Sequence, residues 1–251
     1  MKVLITGASS GMGRDMARYL SSFNYKLILV SKDKKNLDKI FKEDKNVIAT
    51  YGYDLTKEEE CINLYNKVKE ENIDILINNA GFGDAGKFFE TSLNKEMDMI
   101  NLNIKAYHIL TKLFLKDFVK KDHGRILNVA SMAGLMPGPY MATYYATKAY
   151  VTSLTRAIAT ELKEQGSRVY IGCLCPGPVD TEFNDVANVN FALKGITASY
   201  CANYAVDQMK KRKVVIVPTL TMKCTVFFSR IIPQNLYIKL TGNQQKKKLG
   251  K

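Results

Sequence analysis

Short apolar runs rich in β-branched residues recur along the chain and alternate with segments whose apolar residues follow helical spacing. The runs predict strands at 3–6, 27–30, 47–51, 73–77, 125–129, 169–174 and 214–217. The segments between them predict helices at 13–23, 34–42, 57–72, 93–121 and 143–165. This alternation indicates βαβ units and a doubly wound α/β fold with a parallel sheet, in which ligands bind at the carboxyl ends of the strands.

The size and composition of the chain suit one domain spanning residues 1–251. The sequence is 46% hydrophobic, and no apolar run reaches the roughly 18–20 residues that a membrane span requires. The chain passes from Met1 directly into an apolar strand, so we expect no signal peptide and a cytoplasmic protein. Five cysteines without paired spacing indicate reduced thiols, and the presence of only two histidines argues against a metal site.

The net charge of +13 is concentrated at the end of the chain. From Asn203 onward there are eleven Lys or Arg residues, and Asp207 is the single acidic one. Residues 219–251 mix these charges with apolar side chains, which predicts a basic amphipathic C-terminal extension that Pro233 interrupts. Such a segment can cover its own fold or a partner subunit, or lie as a peripheral contact on an anionic membrane. Aromatic residues suited to base stacking are too few to favour nucleic acid as a partner.

The stretch 6-TGASSGMG-13 follows the first predicted strand. Gly7, Gly11 and Gly13 lie where a strand must turn tightly into a helix, and glycine lets a pyrophosphate approach the main chain there. The N-terminus of the following helix then offers unpaired N–H groups to the phosphates. The spacing is GxxxGxG rather than the commoner GxGxxG, so a glycine-rich turn without a ligand is the alternative.

Four motifs occur together in a characteristic order: TGxxxGxG near the N-terminus, 78-NNAG-81, a serine thirteen residues before YxxxK, and 176-PGPVDT-181. With them the chain resembles the short-chain dehydrogenase/reductase family over its whole length, and most closely a branch with a PGPVxTEF-like motif and a basic C-terminal extension. The resemblance implies a Rossmann sheet of about seven parallel strands that binds NAD(H) or NADP(H). It also implies a homo-oligomer, a dimer or tetramer built on the long helices.

The end of the second predicted strand bears on the choice of nucleotide. An NAD enzyme usually places an acidic residue there, whereas this chain has Ser31 and then Lys32, a basic residue that can pair with the 2′-phosphate of NADP. Asp33 leaves NAD(H) open, and NADP(H) is preferred. The resemblance places Asp54 near the adenine and Asn78 beside the nucleotide. It assigns to cofactor binding Gly7, Ser9, Ser10, Gly11, Met12, Gly13, Ser31, Lys32, Asp54, Leu55, Asn79, Ala80, Gly81, Tyr144, Lys148, Pro176, Gly177, Val179 and Thr181.

The segment 140-YMATYYATKAYV-151 contains four tyrosines and a lysine. Reduction of a carbonyl requires a proton donor for the oxygen, and a phenol is protonated near neutral pH. A nearby ammonium would lower the phenol pKa by favouring phenolate. Residues three and four apart share a helix face, so Lys148 is adjacent to both Tyr144 and Tyr145, and periodicity does not separate them.

The resemblance assigns the roles. Ser131 lies thirteen residues before Tyr144, so Tyr144 is the expected acid/base, and Ser131 holds the substrate oxygen. Lys148 is expected to lower the phenol pKa and bind the nicotinamide ribose, and Tyr145 to pack as an ordinary aromatic. Asn103 takes the position of the family's water-holding asparagine, with Asn101 as the fallback.

The segment 182–200 corresponds in the family to the flexible substrate loop, and its apolar and amide side chains favour a largely apolar substrate. The sequence therefore predicts an NADP(H)-dependent oxidoreductase that interconverts a carbonyl and an alcohol. It does not separate a 3-oxoacyl thioester from a steroid or a small ketone. The alternative is a non-catalytic dinucleotide-binding sensor, which would not need the set of Ser131, Tyr144, Lys148 and Asn103.

Overall fold

The computed structural model describes residues 1–183, 187, 195–229 and 231–248. Its main sheet has seven parallel strands in the order β3-β2-β1-β4-β5-β6-β9, and a separate two-stranded sheet pairs β7 with β8. The strands are β1 Lys2–Thr6, β2 Lys26–Ser31, β3 Val47–Gly52, β4 Ile75–Asn78, β5 Arg125–Val129, β6 Tyr170–Leu174, β7 Val179–Asp180, β8 Ile196–Thr197 and β9 Val215–Ile216. The predicted doubly wound parallel sheet of seven strands is confirmed.

Helices cover both faces of this sheet. They are α1 Gly11–Ser21, α2 Lys34–Ile40, α3 Glu58–Val68, α4 Leu93–Ile100, α5 Tyr107–Lys121, α6 Ala142–Glu164, α7 Ala198–Lys210, α8 Leu220–Ser229 and α9 Gln234–Lys248. Because side chains alternate along a strand, Val3 and Ile5 of β1 pack with Met16 of α1 on one face, and Leu4 packs with Phe114 of α5 on the other. The strands β1, β2, β4, β5 and β6 are almost entirely buried, which explains their continuous apolar runs, whereas the edge strand β3 has no buried residue.

Several predicted bounds differ from the structure. The helix expected at 93–121 is divided into α4 and α5 by a π-helical turn, Asn101–Ala106, and the helix expected at 57–72 ends at Val68 before a 3₁₀ turn. The final strand, expected at 214–217, contains only Val215–Ile216. Helix α7 was not predicted. The expected interruption of the extension at Pro233 is confirmed, since α8 ends at Ser229 and α9 begins at Gln234.

The strand order reverses between β1 and β4, and this reversal positions the site. The chain adds β2 and β3 on one side of β1 and later strands on the side of β4, so a crevice opens where the carboxyl ends of β1 and β4 diverge. The glycine loop follows β1, and Asn79 follows β4. The Asn79 side-chain amide donates to the Thr6 carbonyl at 3.1 Å and to the Gly7 carbonyl at 3.0 Å, which ties the two loops together.

Candidate active site

The glycine loop is packed so closely that side chains would not fit. Gly7 has φ +64°, and a Cβ built on it would lie 2.7 Å from the Cα of Ala80. A Cβ on Gly13 would overlap the Gly7 carbonyl oxygen. Gly7 therefore permits the positive φ of a tight turn, and both glycines permit close packing of the main chain and of the β1 and β4 loops.

The N-terminus of α1 holds an anion from within the chain. The Gly11 N–H donates to the Glu182 carboxylate at 3.1 Å, and the Arg14 guanidinium donates to the same carboxylate at 3.2 Å. A helix N-terminus carries unpaired N–H groups and partial positive charge, which favour such an anion. The Glu182 carboxylate thus stands in for a phosphate at the place where the resemblance expects the pyrophosphate.

A cavity of about 430 Å³ extends along the carboxyl ends of β1, β2 and β4. Twelve of the predicted cofactor residues line it: Gly7, Ser10, Gly11, Met12, Ser31, Lys32, Asp54, Leu55, Asn79, Ala80, Gly81 and Thr181. Residues that the sequence did not single out also line it, among them Tyr53, Asp98, Leu102 and Glu182. Only for Glu182 was there a signal, its place directly after the PGPVDT motif.

Other predicted cofactor residues lie outside this lining: Ser9, Gly13, Asn78, Tyr144, Lys148, Pro176, Gly177 and Val179. The buried Asn78 amide donates to Asn128 at 2.9 Å, and Asn79 rather than Asn78 lines the cavity. The Pro176 carbonyl accepts from the Met132 N–H at 2.9 Å, which fixes the PGPVDT loop against the residues that follow β5.

Two charged residues, Lys32 and Asp33, directly follow β2, and their side chains have different partners. The Lys32 ammonium lies 2.8 Å from the Asp54 carboxylate, and the lysine side chain is 76% exposed at the cavity. The Asp33 carboxylate accepts from the Asn36 N–H at 3.0 Å and caps helix α2. Ser31 donates to the hydroxyl of Ser9 at 2.8 Å. At this end of the cavity the lining therefore includes Lys32, paired with Asp54, and does not include Asp33.

Ser131 lies beside the buried Tyr144 phenol, and its hydroxyl accepts from the Ala133 N–H at 3.1 Å. Burial raises the pKa of Tyr144 to about 12, and the neighbouring Ser131 hydroxyl only partly offsets this. The expectation of a lowered phenol pKa is therefore wrong for the protein alone, because desolvation exceeds every effect that favours the phenolate.

Lys148 lies one helical turn after Tyr144 and is buried. Its ammonium donates to the Val129 carbonyl at 2.9 Å and lies 5.9 Å from the centroid of the Tyr144 ring. Burial lowers the pKa of Lys148 to about 8. The Tyr107 hydroxyl donates to the same Val129 carbonyl at 3.1 Å, and its ring faces the ammonium at 5.3 Å.

Asn103 lies in the π-helical turn and is fully buried. Its side-chain amide donates to the Phe82 carbonyl at 2.8 Å and accepts from the Phe82 N–H at 3.2 Å. A Cβ on Gly81 would lie 2.8 Å from Asn103 Oδ1 and 3.4 Å from Lys148 Nζ, so the two polar groups approach the same point. The fallback, Asn101, lies in the same turn, and its Oδ1 is buried without a hydrogen-bond partner among the described residues.

Tyr145 occupies a different environment from Tyr144. Its ring packs edge-on against Tyr144, with centroids 6.2 Å apart, and its hydroxyl accepts a hydrogen bond from Gln245 of α9. Burial raises the pKa of this phenol as well. The structure therefore brings Ser131 to Tyr144 and an extension residue to Tyr145, which separates the two candidates.

An apolar cluster lies over the Tyr144 phenol. Met99, Met141, Tyr144 and Tyr145 form its buried part, and Phe82, Ala85, Met136 and Phe183 pack against it. The Phe183 ring lies 5.4 Å from the Tyr144 ring. Of the predicted substrate loop 182–200, residues 184–186 and 188–194 lie outside the described residues.

Helix α9 packs on the segment that leads into α6. The Tyr237 hydroxyl donates to the Met136 sulfur at 3.0 Å, and a Cβ on Gly242 would lie 3.3 Å from Pro139. Thr241 and Gln245 of α9 are buried. Part of the extension therefore covers its own fold, on the side where the apolar cluster lies.

The sequence and fold of the chain are similar to those of known proteins. The model of the short chain dehydrogenase family matches residues 1–190. The chain is 31% identical over 185 residues to the 3-oxoacyl-(acyl-carrier-protein) reductase of Rickettsia prowazekii, covering 74% of this chain and 75% of that protein. A short-chain dehydrogenase of Sphingobium yanoikuyae in complex with NADPH is 29% identical, with TM-score 0.82 over 94% of each chain. One of Burkholderia phymatum in complex with NAD is 25% identical, with TM-score 0.83 over 92% of each chain.

The chain belongs to the short-chain dehydrogenase/reductase family, and it is an NAD(P)-dependent oxidoreductase. The family model ends at residue 190, so α7, α8 and α9 lie beyond the matched region.

Proposed function

We propose that this enzyme reduces the carbonyl of a largely apolar substrate to an alcohol, with NADPH as the hydride donor. The proposal depends above all on one observation, the position of a buried Tyr144 phenol between Ser131 and the Lys148 ammonium, which lies 5.9 Å from the centroid of the Tyr144 ring. Such a phenol remains protonated at neutral pH, so it is ready to donate a proton to a carbonyl oxygen.

The cavity fits a dinucleotide. The glycine loop leaves the main chain open to a pyrophosphate, and the anion at the N-terminus of α1, the Glu182 carboxylate, marks a place where phosphate oxygens would be bound. At the ribose end, the capping role of Asp33 leaves Lys32 as the residue to contact a 2′-phosphate. This supports NADPH over NADH, although both nicotinamides occur in solved relatives.

Each residue of the site has a distinct role in the proposed reaction. Bound NADPH supplies the hydride that attacks the carbonyl carbon. Ser131 holds the carbonyl oxygen, and Tyr144 donates its proton to that oxygen as negative charge develops. Lys148 supports the phenolate that results, and Asn103, beside Lys148 at Gly81, orients water for its reprotonation.

The apolar cluster around Met99, Met136, Met141 and Phe183 supports a substrate with an apolar body. Unbranched methionine side chains adapt to irregular apolar shapes, which suits an acyl chain or a fused-ring ketone. The similarity to a 3-oxoacyl-(acyl-carrier-protein) reductase makes a 3-oxoacyl thioester the first substrate to test, with steroid ketones next.

The test is loss of the reduced-nicotinamide absorbance with NADPH and with NADH across oxoacyl thioesters, steroid ketones and small carbonyls. We expect turnover with NADPH, and a loss of about 10²- to 10⁴-fold in Tyr144→Phe with NADPH binding retained. Tight nucleotide binding without turnover on any substrate would favour the non-catalytic sensor instead.

We also infer a cytoplasmic homo-oligomer, a dimer or tetramer, built on the long helices α5 and α6. Val119 and Tyr150 present partly exposed apolar surface on these helices, which supports a subunit contact there. Light scattering of the purified enzyme would give the number of subunits.

A further inference from the structure

The extension carries an unusual amount of exposed apolar surface. Six large apolar side chains within 21 positions are between 48% and 75% exposed. They are Leu220, Phe227, Phe228, Ile231, Leu236 and Leu240. Single exposed apolar residues are ordinary on protein surfaces, but a concentration of this kind on one short segment marks an interaction surface.

Helix α8 is apolar on both of its faces. Its inner face, with Met222 and Val226, packs against the core cluster that contains Met132 and Val217. Its outer face has Leu220 and Phe227, seven positions apart and therefore on one side of the helix. The inner face already accounts for how α8 packs, so the outer apolar face requires a second, external partner.

The charge of the extension indicates which partner. Residues 219–251 contain seven Lys or Arg residues and no Asp or Glu, and four further basic residues, at positions 210–213, come shortly before them. A second copy of the chain docked by the same face would bring two such segments together, and their like charges would repel. An anionic lipid bilayer, by contrast, attracts basic residues and accepts apolar side chains at its surface.

The helices fit a peripheral rather than a spanning contact. Among the residues that the structure describes, no helix combines the length and apolarity needed to cross a membrane. Helices α8 and α9 have 10 and 15 residues, and each exposes apolar side chains on one side while its other side packs on the protein. Such helices can lie in the plane of the lipid headgroups.

Helix α9 borders the proposed substrate pocket. Tyr237 contacts Met136, Gln245 contacts Tyr145, and the Lys246 ammonium lies 5.7 Å from the centroid of the Tyr140 ring. We propose that α8 and α9 dock the enzyme on an anionic bilayer, so that a lipid-dissolved ketone enters the pocket from the membrane. The docking surface stands by itself, whereas the entry of a ketone rests on the function proposed above.

The experiment is flotation of the full-length enzyme with vesicles of phosphatidylcholine alone, and with vesicles in which about a third of the lipid is phosphatidylglycerol. We expect binding to the anionic vesicles only, and its loss at high salt. The double variant Phe227→Ser/Phe228→Ser should reduce the bound fraction at least about ten-fold, because it removes the apolar part of the contact. Its turnover of a water-soluble ketone should be unchanged, while turnover of a long-chain ketone supplied in anionic vesicles should fall.

The matched control is Ile48→Ser/Ile62→Ser, which changes two exposed apolar side chains outside the extension, one on the edge strand β3 and one on α3. This control should bind vesicles as the unchanged enzyme does. Equal binding of both double variants, or no binding of the unchanged enzyme to anionic vesicles, would overturn the docking surface. A fall in subunit number in Phe227→Ser/Phe228→Ser would instead assign the face to a subunit contact. Vesicle binding without turnover of any ketone would refute the proposed function and leave the docking surface standing.

Discussion

The side-chain amide of Gln245 donates a hydrogen bond to the Tyr145 hydroxyl from 100 positions further along the chain. This bond joins α9 to the residue that packs directly on Tyr144. The extension is thereby connected to the proposed catalytic phenol through a single intervening ring.

We expect Gln245→Leu to loosen the packing of α9 and to raise KM for bulky apolar ketones about three- to ten-fold. The value of kcat should change less, because the pocket wall moves while Tyr144 and Ser131 remain in place. The lost buried hydrogen bond should lower the free energy of unfolding by about 1 kcal/mol. Steady-state kinetics and urea unfolding measure the two effects.

The control is Tyr145→Phe, which keeps the ring against Tyr144 and removes only the hydroxyl. It should retain most of kcat, in contrast to Tyr144→Phe. A loss of turnover in Tyr145→Phe as large as that in Tyr144→Phe would transfer the acid role to Tyr145.

Glu182 should compete with the cofactor for the N-terminus of α1. The Gly11 N–H that it occupies is one that a pyrophosphate would use, and its charge would repel the phosphates. Replacing Glu182 with Gln removes the charge at nearly constant size, so NADPH should bind about three- to ten-fold more tightly at low salt. Fluorescence titration with NADPH measures the dissociation constant.

Asp180→Asn is the matched control for this variant, since it removes a neighbouring exposed carboxylate that does not line the cavity. Its NADPH affinity should change little. If Glu182→Gln and Asp180→Asn behave alike, Glu182 is not a competitor for the phosphate position.

The sheet could be predicted because its signal is local. The central parallel strands are buried on both faces and so form continuous apolar runs, and the glycine loop lies within eight consecutive residues. The π-helical turn was missed because helical periodicity continues through it. Its geometry depends on the bonds between Asn103 and the Phe82 main chain, which come from a different element.

The same limit applies to the two tyrosines. Helical spacing from Lys148 fits both Tyr144 and Tyr145, and only tertiary contacts, with Ser131 and with Gln245, distinguish them. The pKa of Tyr144 was expected in the wrong direction because burial, its largest cause, is a property of the folded protein rather than of residue spacing.

Lys32 should control the choice between the two nicotinamide cofactors. Lys32→Ala removes the exposed ammonium beside Asp54, and we expect the dissociation constant of NADPH to rise about ten-fold while that of NADH changes little. Asp33→Ala should instead cost about 1 kcal/mol of stability through the lost cap of α2, with the ratio of the two affinities unchanged. A selective loss of NADH binding in Asp33→Ala would mean that Asp33 contacts the ribose.

Lys148 should destabilise the folded protein at neutral pH, because burial lowers its pKa from 10.5 to about 8. Below pH about 8 the lysine is charged in both the folded and the unfolded protein, so the folded protein is destabilised by the full free-energy cost of burying the charge. Between about 8 and 10.5 the unfolded state binds more protons, so the stability of the unchanged protein should rise with pH in this window.

Replacing Lys148 with Met removes the buried charge and leaves the Val129 carbonyl hydrogen-bonded to Tyr107. At pH 7 the free energy of unfolding of the variant should therefore be about 1–2 kcal/mol higher than that of the unchanged protein. This difference should shrink as the pH approaches 10.5. Urea unfolding at both pH values measures it, and turnover of the same variant should be lost. A variant that is less stable than the unchanged protein at pH 7 would show that the bonds of Lys148 outweigh the cost of burying its charge.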